Sequence, residues 1–241
     1  MPLLDHFHPP LSTQRHWESF HTTWAGAIAD ALNQKWLPEG YFAEEQLQPS
    51  ARVEVDVATF EEAGREQSSG GVALAGRKTW TPAAPKWTMP GLMPDGLEVL
   101  VFSGEGGPTL VGAIELVSPA NKDRASHRRA FAIKCAGYLQ QGVAVVIIDV
   151  VTERTANLHG ELVDILGCVP SLAWRSPSHV YAVAYRPTQS ADAQRLEAWP
   201  EALTVGAALP TMPLWLSEEL CLPLRLEESY RATCVALRIR V

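Results

Sequence analysis

Between Trp17 and Asn33 the apolar residues Trp17, Phe20, Trp24, Ile28 and Leu32 recur at three- and four-residue steps. That spacing gathers them on one stripe of a helix, and Asn33 stands where a C-terminal cap would be. Pro38-Glu39-Gly40 then turns the chain. Tyr41–Leu47 is a weak strand pattern, whereas Arg52–Phe60 alternates Val53, Val55 and Val57 with Arg52, Glu54, Asp56 and Ala58. Period-two alternation of this kind predicts a strand with one buried face. Residues 61–96 change texture to glycine, serine, proline and threonine, with Trp80 and Trp87 spaced between them, and read as a long loop or insertion.

Regular patterning resumes at Leu97. Leu97–Phe102 and Thr109–Val117 flank Ser103-Gly104-Glu105-Gly106-Gly107-Pro108, which predicts a β-hairpin. A helical stretch runs on to Gln141, with Gly142 in the position of a C-cap glycine. Val143–Val151 is an almost unbroken aliphatic run, the pattern of a strand covered on both faces. A further strand is predicted at Val180–Tyr185, and the tail from Ala191 mixes short apolar pieces with prolines at 200, 210, 213 and 223. The first sixteen residues, with His6, His8, Pro9 and Pro10, read as an irregular, flexible arm. The order helix, strand, strand, hairpin, helix, buried strand predicts an α/β fold: a mixed central sheet flanked by helices. We read residues 1–241 as a single domain, with its core at about 17–60 and 97–151, an insertion at 61–96 and a C-terminal extension at 152–241.

Composition narrows the setting. Hydrophobic residues make up 46 % of the 241, enough for a sizeable core, and there is no apolar run of about eighteen residues to span a membrane. The N-terminus lacks the pattern of a signal peptide, so export is not expected. The four cysteines, Cys135, Cys168, Cys221 and Cys234, form no CxxC pair and sit among apolar neighbours. Reduced, buried thiols and a cytoplasmic location are the expectation. The net charge of −7 argues against broad nucleic-acid binding, although Lys122, Arg124, Arg128, Arg129 and Lys134, with His127 among them, make a local basic strip.

Three charged positions stand out by where they fall. Asp56 interrupts a valine-rich strand, Glu115 lies near the end of the apolar strand Leu110–Val117, and Lys134 shares a helical face with His127, Phe131 and Tyr138. A carboxylate inside a sheet is costly to desolvate unless it is paired or holds a cation. Two carboxylates from adjacent strands under a lysine could fix Mg²⁺ or Mn²⁺, with Glu44 or Glu45 as a further ligand. Taken singly, these residues have plainer readings: a solvated outer-face acid for Asp56, a snorkelling helix lysine for Lys134 and surface charges for Glu44 and Glu45. Asp149, at the end of the aliphatic run, either lines such a site or caps the following turn.

The segments Ile114-Glu115-Leu116-Val117-Ser118-Pro119-Ala120-Asn121-Lys122, Lys134 to Val143 and Ile147-Ile148-Asp149 resemble an uncharacterised bacterial family related to the Uma-type endonucleases of the PD-(D/E)XK superfamily. Trp17–His21, Ile28–Asn33, Trp199-Pro200 and Tyr230 extend the likeness over most of the chain. The resemblance implies a restriction-endonuclease-like core with a divalent-metal site. Asp56 would be the motif aspartate, although Val55 replaces the usual preceding proline, and Glu115 would be the motif glutamate. Val117 stands where the motif lysine belongs, and Lys134 has the spacing of the helix lysine that takes this role in Uma-type proteins. Two functions follow as expectations: a Mg²⁺-dependent nuclease acting on DNA or RNA, with Asp56, Glu115 and Lys134 as catalytic residues and Asp56, Glu115 and Glu45 as ligands, or an inactive nuclease fold that serves as a binding or assembly module. A homo-oligomer is compatible with either. The nuclease reading requires the carboxylates of Asp56 and Glu115 within roughly 5 Å of each other, and Lys134 turned toward them.

Overall fold

A computed structural model describes residues 1–45, 57–61, 80–90, 109–168, 172–190 and 193–239. The first long element, α1 (Trp17–Ala31), buries Trp17, Phe20, Trp24 and Ile28 as its spacing predicts, and a π-type turn at Leu32–Trp36 carries the buried Leu32. Asn33 does not cap α1. Its side chain bonds both the N–H and the C=O of Ala43, at 2.8 Å each, and so pins the strand β1 (Tyr41–Glu44) beside the helix end. Next come β2 (Val57–Glu61), β3 (Trp87–Pro90) and β4 (Thr109–Leu116). The short α2 (Pro119–Asp123) and the long α3 (Ala125–Gln140) lead to β5 (Ala144–Asp149). Gly142 takes φ +82°, the left-handed conformation of a C-cap glycine, and so lets the chain leave α3 and enter β5. Beyond lie α4 (Leu158–Ile165), β6 (Tyr181–Ser190), β7 (Ala193–Ala202), β8 (Thr211–Trp215), β9 (Cys221–Arg225) and α5 (Leu226–Ala236).

The main sheet has the order β1-β2-β4-β5-β6-β7-β3, and β8 and β9 form a separate two-stranded ribbon. At its centre run β4, β5, β6 and β7, a mixed group in which only β4 and β5 are parallel. The parallel pair requires a crossover, and α2 and α3 supply it. Every residue of β5 is buried, as its aliphatic run predicts for a strand covered on both faces. Alternation along the strands separates two cores. Ile114, Leu116, Val146, Ile148, Ala182 and Ala184 face α1, α5 and the β8–β9 ribbon. Ala113, Val117, Val145, Ile147 and Val183 face α3 and α4. The result is helices on both faces of a mixed sheet.

Several expectations change. The N-terminal arm is docked rather than loose: Leu3 exchanges backbone hydrogen bonds with Gly206 and Ala207 at 2.8 Å, and the His6 ring packs 4.0 Å from that of Phe20. Part of the predicted loop 61–96 is strand, since β3 pairs with β7 through Trp87↔Ala198. Residues 97–102, the first arm of the predicted hairpin, lie outside the described residues; the second arm is β4. The C-terminal part supplies the sheet with β6 and β7, and α5 packs against α1. The strand predicted at Val180–Tyr185 is the first part of β6, whereas prolines masked β7, β8 and β9. Pro200 lies on β7 beyond the last residue paired with β3, and Pro213 faces Pro223 across the β8–β9 ribbon, so each occupies a strand edge where a missing N–H costs little. Trp215 is on β8 with the Arg186 guanidinium 3.8 Å above its ring.

Candidate functional site

Glu115 sits one residue before the end of β4, in register with Ile147 of β5. Its neighbours at two-residue spacing, Ala113 and Val117, belong to the core beneath α3, so strand alternation turns Glu115 toward α3 as well. Lys134, in the middle of α3, meets it with Nζ 2.7 Å from Oε2. Phe131, one turn before Lys134, places its ring centroid 5.5 Å from the ammonium, and Tyr138, one turn after, is buried. The helical face read from the sequence therefore does aim Lys134 at the acid. Glu115 is 1 % exposed. A carboxylate at that depth keeps its charge only beside a cation, so the pair stands or falls together.

The remaining predicted ligands divide. Asp56 lies outside the described residues, and β2 begins at Val57, paired with Ile114. Glu45 is exposed, and its carboxylate lies against Gly26 of α1, 3.0 Å from where a Cβ there would be. Gly26 belongs to the helix on the opposite face of the sheet from α3, so Glu45 does not join Glu115 and Lys134. Glu44 is exposed on β1. Among the described residues no group of three or more His, Cys, Asp or Glu side chains is arranged to hold a metal ion.

The basic strip does not form a continuous positive surface. Lys122 pairs with Asp149 at 2.8 Å, Arg124 with Asp123 at 3.3 Å, Arg128 with Glu161 at 3.0 Å and Lys134 with Glu115. Arg129 is exposed, and so is His127, with Nδ1 3.2 Å from the Ala120 carbonyl.

The Lys122–Asp149 pair is a feature that sequence reasoning missed. Both side chains are fully buried. The capping reading of Asp149 holds, because Oδ1 accepts the Val151 N–H at 3.1 Å, while Oδ2 takes Lys122. Burial pushes the Asp149 carboxyl up to about 6, against the pull of Lys122. The available signal was a single acid closing an aliphatic run, which demands a cation close by. A second buried cluster lies beyond it on the same face. The His159 N–H donates to the Tyr181 hydroxyl at 3.1 Å, Nδ1 meets the Tyr185 hydroxyl, and Nε2 lies 2.8 Å from the Leu172 carbonyl. Burial lowers the His159 pKa and raises that of Tyr181.

All four cysteines are free thiols, three of them buried. No helix among the described residues is long and apolar enough to cross a membrane. No family model matches the chain. Neither a curated protein nor a solved structure matches it.

Proposed function

We propose that the chain is a metal-dependent phosphodiesterase with a restriction-endonuclease-like core, acting on DNA or RNA in the cytoplasm. The observation that carries this reading is the 2.7 Å contact of Lys134 Nζ with Glu115 Oε2. A lysine beside a strand-end carboxylate is the pairing that such chemistry uses, and here the lysine arrives from the crossover helix because Val117 occupies the strand position. Glu115 is the metal ligand. Asp56 is proposed as the second; it precedes Val57 in the sequence as Glu115 follows Ile114, and Val57 and Ile114 are the pair at which the β2–β4 ladder begins. A divalent ion held there would polarise a phosphodiester and lower the pKa of a bound water. Lys134 then offsets negative charge on the attacked phosphate, and the apolar wall of Phe131 and Val117 keeps the local dielectric low, which strengthens that attraction.

A second reading rests on the paired basic strip. With Lys122, Arg124, Arg128 and Lys134 each engaged by an acid, and a net charge of −7, little positive field remains to gather a phosphate backbone. In that reading the fold is kept as a binding or assembly module. Hydrolysis of plasmid DNA, single-stranded DNA and single-stranded RNA, followed with Mg²⁺ or Mn²⁺ for the wild type and Lys134→Met, separates the two. Metal-dependent cleavage that Lys134→Met reduces at least 100-fold supports the phosphodiesterase, and no cleavage of any of the three supports the module.

A further inference from the structure

The five residues of α2 end at Asp123; Arg124, which follows, is extended at φ −112° and ψ 155°, and α3 begins immediately after it. The crossover from β4 is therefore broken into two helices, and the direction of α3 is not inherited from a continuous helix. Something has to hold the joint. At its start, Ser118 and Asn121 form a capping box with Pro119 at the first helical position, which fixes how the chain leaves β4. One residue later Lys122 turns inward, and its Nζ reaches Asp149 Oδ2 at 2.8 Å and the Val151 carbonyl at 3.3 Å. Both ends of this tether are fully buried. A buried ion pair is rarely more stabilising than apolar side chains of the same volume, so its retention points to fixing one arrangement rather than to adding stability.

The two buried pairs share a face. Glu115 is in register with Ile147, and Asp149 lies two residues further along β5, so both carboxylates turn toward the side covered by α3. The lysines that meet them, Lys122 and Lys134, come from either side of the break at Arg124. We infer that Lys122 is a positioning residue: its ion pair with Asp149 locks the α2–α3 joint onto the end of β5 and thereby holds Lys134 over Glu115. This deepens the metal-site reading and rests on it only for its second readout.

The test uses the full chain with Lys122→Met combined with Asp149→Asn, a pair close to isosteric that leaves no unpaired buried charge. In ¹⁵N-labelled protein the ammonium signal of Lys134, assigned by its loss in Lys134→Met, reports whether that group is held in an ion pair or exchanges with water. The wild type should show it. In the folded double variant it should broaden beyond detection, and the Mn²⁺ dissociation constant should rise about 10- to 100-fold, the range for removing a group that orients a metal ligand. A pair that merely stabilises the fold would lower the thermal midpoint and leave the Lys134 signal of the folded protein unchanged, and that result overturns the inference. If the double variant does not fold, Asp149→Asn alone, which keeps the contact to Val151, should give the same broadening in smaller degree. If the wild type takes up no Mn²⁺, the metal reading fails while the ammonium signal still decides the positioning role.

Discussion

Asp149 lies on the same face of the sheet as Glu115, one strand across and two residues further along, because Glu115 is in register with Ile147. Each carboxylate is buried and each is met by its own lysine, Lys122 for Asp149 and Lys134 for Glu115. The crossover between the two parallel strands supplies both cations. Elements that the chain needs anyway to link β4 to β5 thus also neutralise the acids at the ends of those strands. This economy explains why so local a segment, Glu115 to Asp149, holds both pairs.

The two members of the Glu115–Lys134 pair should not be equivalent on substitution. Glu115 is 1 % exposed, whereas the Lys134 side chain is 13 % exposed and its long stem can carry the ammonium outward. Lys134→Met strands a buried carboxylate and should cost about 3–5 kcal/mol of stability. Glu115→Gln should cost less, about 1–2 kcal/mol, because Lys134 can turn to solvent. Urea denaturation of both variants checks the order, and equal losses would mean that Lys134 is held as firmly as Glu115.

Asp149 gives a pH signature. Its carboxyl is raised by burial from 3.8 to about 6, so between those values the folded chain binds a proton that the unfolded chain has released. The contribution is present below the unfolded value and lost as pH rises through the folded one, with a slope of up to about 1.4 kcal/mol per pH unit. The wild type should therefore lose stability from pH 4 to pH 6 relative to Asp149→Asn. Denaturation midpoints of the two proteins across that range are the measurement, and parallel curves would refute it.

His6 should act in the opposite sense on acidification. Burial among Trp17, Phe20 and Tyr230 lowers it from 6.5 to about 4, so the folded chain keeps it neutral where the unfolded chain charges it. Stability from this group is complete above the unfolded value and declines as pH falls through the folded one. His6→Phe should remove that decline between pH 6.5 and 4 but lose the contact of Nε2 with the Tyr230 hydroxyl at 2.7 Å, costing about 1 kcal/mol at pH 7. Thermal melts at pH 7 and pH 4.5 test both parts.

What was legible in the sequence follows from the range of the interactions involved. The stripe from Trp17 to Leu32, the aliphatic run of β5 and the glycine that ends α3, Gly142, are local patterns, and each appears where the sequence places it. Lys134 could be read because Phe131 and Tyr138 mark its helical face. The arm could not, because His6 is buried through a partner 224 residues away, and no local pattern carries that information. Lys122 was taken for one cation of a strip, since sequence proximity cannot tell a lysine turned into the core from one turned to solvent. Pro200, Pro213 and Pro223 hid β7, β8 and β9, because whether a strand tolerates proline depends on which of its edges is free.

The most direct test of the central claim is calorimetric titration of Mn²⁺ and Mg²⁺ into the wild type and Glu115→Ala. A metal centre at the β4 end predicts binding at one site in the wild type and loss of that binding in the variant, with the variant still folded by circular dichroism. No binding to the wild type, or binding that Glu115→Ala leaves unchanged, would contradict it and leave the Glu115–Lys134 pair as a structural one.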